Sequence, residues 1–117
     1  MVIGLGVDVC SLERFEASLR LTPSLKARLF TQAEQSLSTQ SLAARFAAKE
    51  ALAKAVGNPK MLKFQEIEIL NNELGKPQMQ VSGESRAALD QLGVQRIHLS
   101  LSHDGGIAFA TVILEGH

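Results

Sequence analysis

Residues 42–57 read LAARFAAKEALAKAVG. Alanine is the strongest helix former, and a glycine followed by Asn58-Pro59 is a left-handed stop. The stretch is therefore a helix, opened by Thr39 or Ser41 and ended at Gly57. Flanked on both sides by segments that alternate with period two, it makes the chain a mixed one. Its smooth surface lets other chains and a ligand come close. Set into it are Arg45, Lys49, Glu50 and Lys54. Phe46, Glu50 and Lys54 recur every four residues and form one stripe, with Arg45 and Lys49 in the next. Glu50 and Lys54 read either as an ordinary surface pair, worth about 0.2–0.5 kcal/mol, or as part of a site. An apolar surface beside a carboxylate and several cations suits a phosphorylated ligand with an aromatic or aliphatic portion.

On the N-terminal side, VIGLGVDV (residues 2–9) alternates as a strand. Ile3, Leu5, Val7 and Val9 share one face; Val2, Gly4, Gly6 and Asp8 share the other. Glycines on a strand face mark close approach by a ligand or another backbone. Ser11 caps a helix whose buried stripe is Leu12, Phe15 and Leu19. Thr22-Pro23 predicts a second helix start, and Thr31-x-x-Glu34 matches a capping box that predicts a third.

On the C-terminal side, FQEIEIL (64–70) alternates as a strand, NNELGKP (71–77) supplies a turn, and QMQVSG (78–83) returns. ESRAALDQL (84–92) is a short helix closed by Gly93. RIHLSLSH (96–103) and IAFATVILE (107–115) form a last hairpin around Asp104-Gly105-Gly106. The order of strand, helices, hairpin, helix and hairpin gives an α+β fold with a largely antiparallel sheet and helices packed on one side. No linker or repeat interrupts it, so residues 1–117 read as a single domain.

Composition narrows the function. Twelve basic and twelve acidic residues cancel, so any pull on an anion must come from local clustering. There is no basic run, no Trp, no Tyr and only five Phe, which argues against nucleic-acid binding. Cys10 is the one cysteine and builds neither a disulfide nor a zinc cage. The apolar opening MVIGLGV is short, lacks a cationic stretch and soon meets Asp8, so it is no secretory leader. Nothing is long enough to span a bilayer, and a cytoplasmic, membrane-free protein is the expectation.

Three further positions carry two readings each. Asp8 either begins a turn or points its oxygens into the space its glycine neighbours leave, as a hard donor of the kind magnesium accepts. ELGKP (73–77) is a hairpin turn with Gly75 at positive φ, or it presents Lys76 to a ligand. His103 at a strand end is satisfied structurally or sits beside phosphates.

Taken in order, GLGVDVCSLERF, LFTQAE, LAARFAAKEALAKAVG, FQEIEILNNELGKP and HLSLSH…IAFATVILE resemble the holo-acyl-carrier-protein synthases, small phosphopantetheinyl transferases of bacterial fatty-acid synthesis. The resemblance covers nearly the whole chain. It implies a phosphopantetheinyl transferase-like fold and transfer of the 4′-phosphopantetheine group of coenzyme A to a serine of apo-acyl carrier protein. It also implies that Asp8 and Glu50 hold Mg2+ and that Lys54 steadies the same phosphates. Arg45, Lys49, Lys76 and His103 match positions that receive the nucleotide and its phosphates, with Phe46 and Pro77 lining that pocket. Arg14, on a helix with Arg20, matches a docking contact for the acidic carrier protein. The family's assembly implies a homotrimer with active sites shared between neighbours, and the alanine-rich helix would permit close packing there. Asp8 and Glu50 are then expected in one subunit and parts of the nucleotide pocket in the next.

Two departures stand out. Ser11 occupies a position that is often acidic in relatives, and the connector GNPKMLKF (57–64) is short and lacks a glycine-rich run. They motivate a second reading, a non-catalytic protein that binds coenzyme A or a carrier protein. A third makes the chain a purely structural oligomer.

Overall fold

The computed structural model describes all residues, Met1–His117. Strand β1 (Val2–Ser11) leads into helices α1 (Leu12–Leu21), α2 (Leu25–Leu29) and the long α3 (Thr39–Val56). Then come β2 (Ile67–Asn71), β3 (Pro77–Val81), α4 (Gly83–Gln91), β4 (Arg96–Asp104) and β5 (Ile107–Glu115). All strand pairings are antiparallel, as expected, but they make two sheets: β1-β5-β4, and a smaller β2-β3. Gly105 and Gly106, both at positive φ, turn the β4–β5 hairpin in two residues.

The glycine face of β1 receives the helix. A Cβ at Gly6 would stand 1.9 Å from the Ala51 carbonyl oxygen, and one at Gly4 2.4 Å from that of Ala55. Backbone therefore meets backbone, and the close approach that glycine predicts is made by α3. The alanines of α3 complete the fit: Ala43, Ala47, Ala48 and Ala51 are fully buried, against Ala110, Val112 and Leu114 of β5. Their small size serves packing inside the chain, which corrects the expectation that they face another subunit. Side-chain alternation in β1 then turns Ile3, Leu5, Val7 and Val9 outward, and Leu5 is 61% exposed.

Ends of elements follow their caps. Ser11 accepts the Arg14 amide and opens α1; Ser38 accepts the Ser41 amide and opens α3 one residue before the predicted start. Gly57, at φ 85°, ends α3. The second helix begins at Leu25, later than Thr22-Pro23 predicts, because the Thr22 carbonyl turns back to accept the Leu25 amide. Thr31 and Glu34 make both bonds of the capping box, yet only turns follow. Glu34 is committed to the interior, and no helix grows from it. Residues 64–66 form a 3-10 turn in place of the predicted start of the strand. The short connector is ordered: Asn58 caps the Lys60 amide, and the Lys63 amide donates to Ser85 Oγ.

Glu66 caps α4 from outside the helix, accepting the Glu84 and Ser85 amides and the Ser85 hydroxyl. The hydroxyl, then the amides, hold its pKa below the ordinary carboxylate value. A depressed folded pKa contributes stability that is complete above the unfolded value and is lost as pH falls through the folded one. Glu66→Gln is therefore expected to flatten the acid side of a stability–pH curve below the ordinary glutamate pKa. Part of the slope remains, since Glu115 is shifted the same way by His98. An unchanged acid limb in urea titrations would contradict the cap's electrostatic role.

Candidate active site

The contact between β1 and α3 decides where two carboxylates go. Asp8 follows Gly6 by two residues on the face turned to the helix, and Glu50 precedes Ala51, the residue Gly6 touches. Both side chains line one groove of about 400 Å³, together with Cys10, Ser11, Arg14 and Phe46. Leu25 and Leu29 of α2 form part of its wall. Phe46 is held by stacking on Phe15, with ring centroids 5.6 Å apart.

Lys54 Nζ donates to Asp8 Oδ1 at 2.9 Å. The Asp8 side chain is only 16% exposed, whereas that of Lys54 is 56% exposed. Such a half-open pair is worth about 0–1 kcal/mol, so the ammonium exchanges readily to another anion. Burial, then the negative charge of Asp8, pushes the Glu50 pKa up, with Lys54 opposing. Two carboxylates that line one groove and repel each other, one of them reluctant to ionise, are relieved by a cation. No group of three or more His, Cys, Asp and Glu side chains gathers in the chain. A pair of hard oxygen donors fits magnesium, which takes one or two carboxylates and keeps waters and substrate phosphates. Burial, then the charge of Asp8, pushes the Cys10 thiol up to about 11.

The remaining predicted residues divide. Arg14 is exposed on α1 at the groove's edge. Lys49 and Arg45 are inside, which corrects their assignment to a nucleotide pocket within this chain. Lys49 is 0% exposed, and its three ammonium protons match three acceptors: Glu34 Oε1 at 2.7 Å, the Leu29 carbonyl at 2.8 Å and the Phe64 carbonyl at 3.0 Å. Burial pulls the Lys49 pKa down, with Glu34 opposing. Arg45 Nε donates to the Ile69 carbonyl. The helical stripe of Arg45 and Lys49 is real but points into the core. Lys76 and Pro77 line a different groove, between β3 and the start of β4. His103 lines a third with Gly105 and Gly106, its Nδ1 3.0 Å from Gln40 Nε2.

Glu34 is the residue that sequence reasoning missed. Its Oε1 accepts from Thr31 N and Lys49, and its Oε2 accepts the Ile69 amide at 3.0 Å. The capping box was the visible signal, but it specifies a turn and does not reveal burial.

Fold and groove together define a small α+β protein with two carboxylates in one cleft and a half-exposed lysine bonded to one of them. A sequence model of the 4′-phosphopantetheinyl transferase superfamily matches residues 4–112. The holo-[acyl-carrier-protein] synthase of Arthrobacter sp. (strain FB24) is 53% identical over 116 residues, covering 99% of this chain and all of the relative. Among solved structures, the holo-[acyl-carrier-protein] synthase of Neisseria meningitidis superposes with a TM-score of 0.91 at 32% identity, covering 98% of this chain and 99% of that one. That of Helicobacter pylori, in complex with coenzyme A, gives 0.83 at 31%, covering 95% and 99%. The chain belongs to the 4′-phosphopantetheinyl transferase superfamily, and within it to the holo-[acyl-carrier-protein] synthases.

Proposed function

We propose that the Asp8–Glu50 groove transfers the 4′-phosphopantetheine group of coenzyme A to a serine of apo-acyl carrier protein, releasing adenosine 3′,5′-bisphosphate. The observation that carries this is that Asp8 of β1 and Glu50 of α3, distant in sequence, line one groove, with Lys54 of α3 bonded to Asp8. Asp8 and Glu50 would hold Mg2+, which supplies neutralisation of the charge that gathers on the pyrophosphate oxygens. Lys54 leaves Asp8 to pair with those phosphates. Phosphorus–oxygen bond formation to the serine accompanies loss of its proton to Glu50 or to a water held nearby, and the bond to the departing nucleotide phosphate breaks. Arg14 guides the acidic carrier to the groove, an effect on encounter rate and salt dependence. Incubation with coenzyme A, magnesium and apo-carrier protein should add the mass of the phosphopantetheine arm to the carrier. Binding of coenzyme A without that mass gain would instead favour a non-catalytic protein.

A homotrimer with shared sites is part of the same proposal. Supporting it is the outer sheet face, where Leu5, Val7 and Val9 of β1 stand exposed, with the exposed Phe109 of β5 opposite Val9. Monomeric proteins rarely leave several large apolar side chains of one sheet face to water. His103, Lys76 and Pro77 line grooves apart from Asp8 in their own chain, so a neighbour would have to bring such residues to it. Leu5→Arg is expected to lower the mass in light scattering from three chains to one and to abolish transfer. A monodisperse, fully active variant of unchanged mass would contradict the shared site.

A further inference from the structure

Helix α2 walls the groove but has little to hold it there. It spans five residues, none of them buried, and no side chain caps its start. Its attachments lie from its middle onward, where Leu29 also packs against the core. Phe30, just beyond it, is buried, Gln65 Nε2 donates to the Ala27 carbonyl at 2.6 Å, and Lys49 Nζ donates to the Leu29 carbonyl. The same ammonium holds the Phe64 carbonyl and the Glu34 carboxylate. Through Glu34 it reaches the Thr31 amide and the Ile69 amide of β2. One buried pair thus ties α2, the 31–37 turns, α3, the 64–66 turn and β2 together. None of its bonds touches Asp8, Glu50 or Lys54.

We infer that the buried Lys49–Glu34 pair is a positioning strut that fixes α2 as the carrier-facing wall of the groove, acting on carrier binding and not on phosphate handling. The two sides of the groove are held by different means. The phosphate side, Asp8 and Glu50, is set by backbone contact between β1 and α3. The α2 wall adjoins α1, and Arg28 of α2 is exposed, as are Arg14 and Arg20 of α1. An acidic helical partner that meets both helices needs them in fixed relation, and the strut supplies it through main-chain carbonyls that any sequence at α2 would present.

This inference rests on the transferase reading above, and the test separates the two. Lys49→Met or Glu34→Gln alone leaves a buried partner unpaired, and either risks unfolding. Lys49→Met combined with Glu34→Leu removes both charges and keeps the volume apolar, so the fold is retained more readily. In that double variant the amides of residues 25–30 should exchange with deuterium faster, while those of α3 from Ala47 to Ala53 keep their protection. The KM for apo-carrier protein should rise by about tenfold or more, with kcat and the KM for coenzyme A within about twofold of the unaltered chain. Unchanged exchange in α2, or an unchanged carrier KM, overturns the strut. A rise confined to the coenzyme A KM overturns it as well. Absence of transfer by the unaltered chain refutes the transferase reading, and the exchange measurement then decides the strut by itself.

Discussion

Asp8→Ala and Glu50→Gln are each expected to lower transfer to the carrier protein on the order of 10²–10³-fold, with the fold intact. The size follows from the several kcal/mol that a bound cation contributes to a phosphoryl transition state, at about 1.4 kcal/mol per factor of ten. Neither substitution should disturb packing much. Asp8 is held by a half-open pair to Lys54, and Glu50 lies at the groove surface and not in the core. Glu50→Gln keeps the shape of the side chain and removes its charge. The effects of the two should not add, because residues that act as one unit fail together. Normal turnover by both variants, assayed by mass gain of the carrier, would remove the carboxylates from the mechanism.

The second large effect is on stability. Gly6→Ala places a methyl group 1.9 Å from the Ala51 carbonyl oxygen and 2.7 Å from the Ala55 amide nitrogen. Both are backbone atoms within α3 and cannot swing aside as a side chain would. The helix must lift from β1, or the strand must bow. Overpacking of this kind costs about 1–3 kcal/mol and occasionally more, and with a rigid neighbour the upper part of that range is expected. In a domain of this size that lowers Tm by roughly 4 °C or more per kcal/mol. Because the same contact sets Asp8 against Glu50, surviving Gly6→Ala protein should also lose activity. A variant with unchanged Tm and turnover would show that the contact is looser than the geometry says.

Why β1 was only half legible follows from that contact. Alternation gave the two faces correctly, and glycine signalled close approach, but the usual rule buries the apolar face. Here the glycine face goes in, since only residues without side chains let α3 reach the strand backbone, and the apolar face is left outside. Nothing in Ile3, Leu5, Val7 and Val9 alone says which face an interior helix will choose. The same holds for Lys49. Its spacing placed it one helical step from Glu50, yet which way the stripe turned depended on Glu34, fifteen residues earlier in sequence and in an element that never became a helix. By contrast the hairpin of β4 and β5, the Gly57 stop and the Ser11 cap were legible because each is decided by neighbours in sequence. Asp8, Glu50 and Lys54 meet only through the tertiary contact of β1 with α3, so their convergence was implied by resemblance and not by spacing.

Mn2+ binding, followed by electron paramagnetic resonance in the presence of coenzyme A, tests the shared-cation site most directly. One ion per chain should bind to the unaltered protein, and Asp8→Ala and Glu50→Gln should each weaken it severely. Equal affinity in all three proteins would mean that the two carboxylates do not hold a common metal, whatever else the groove does.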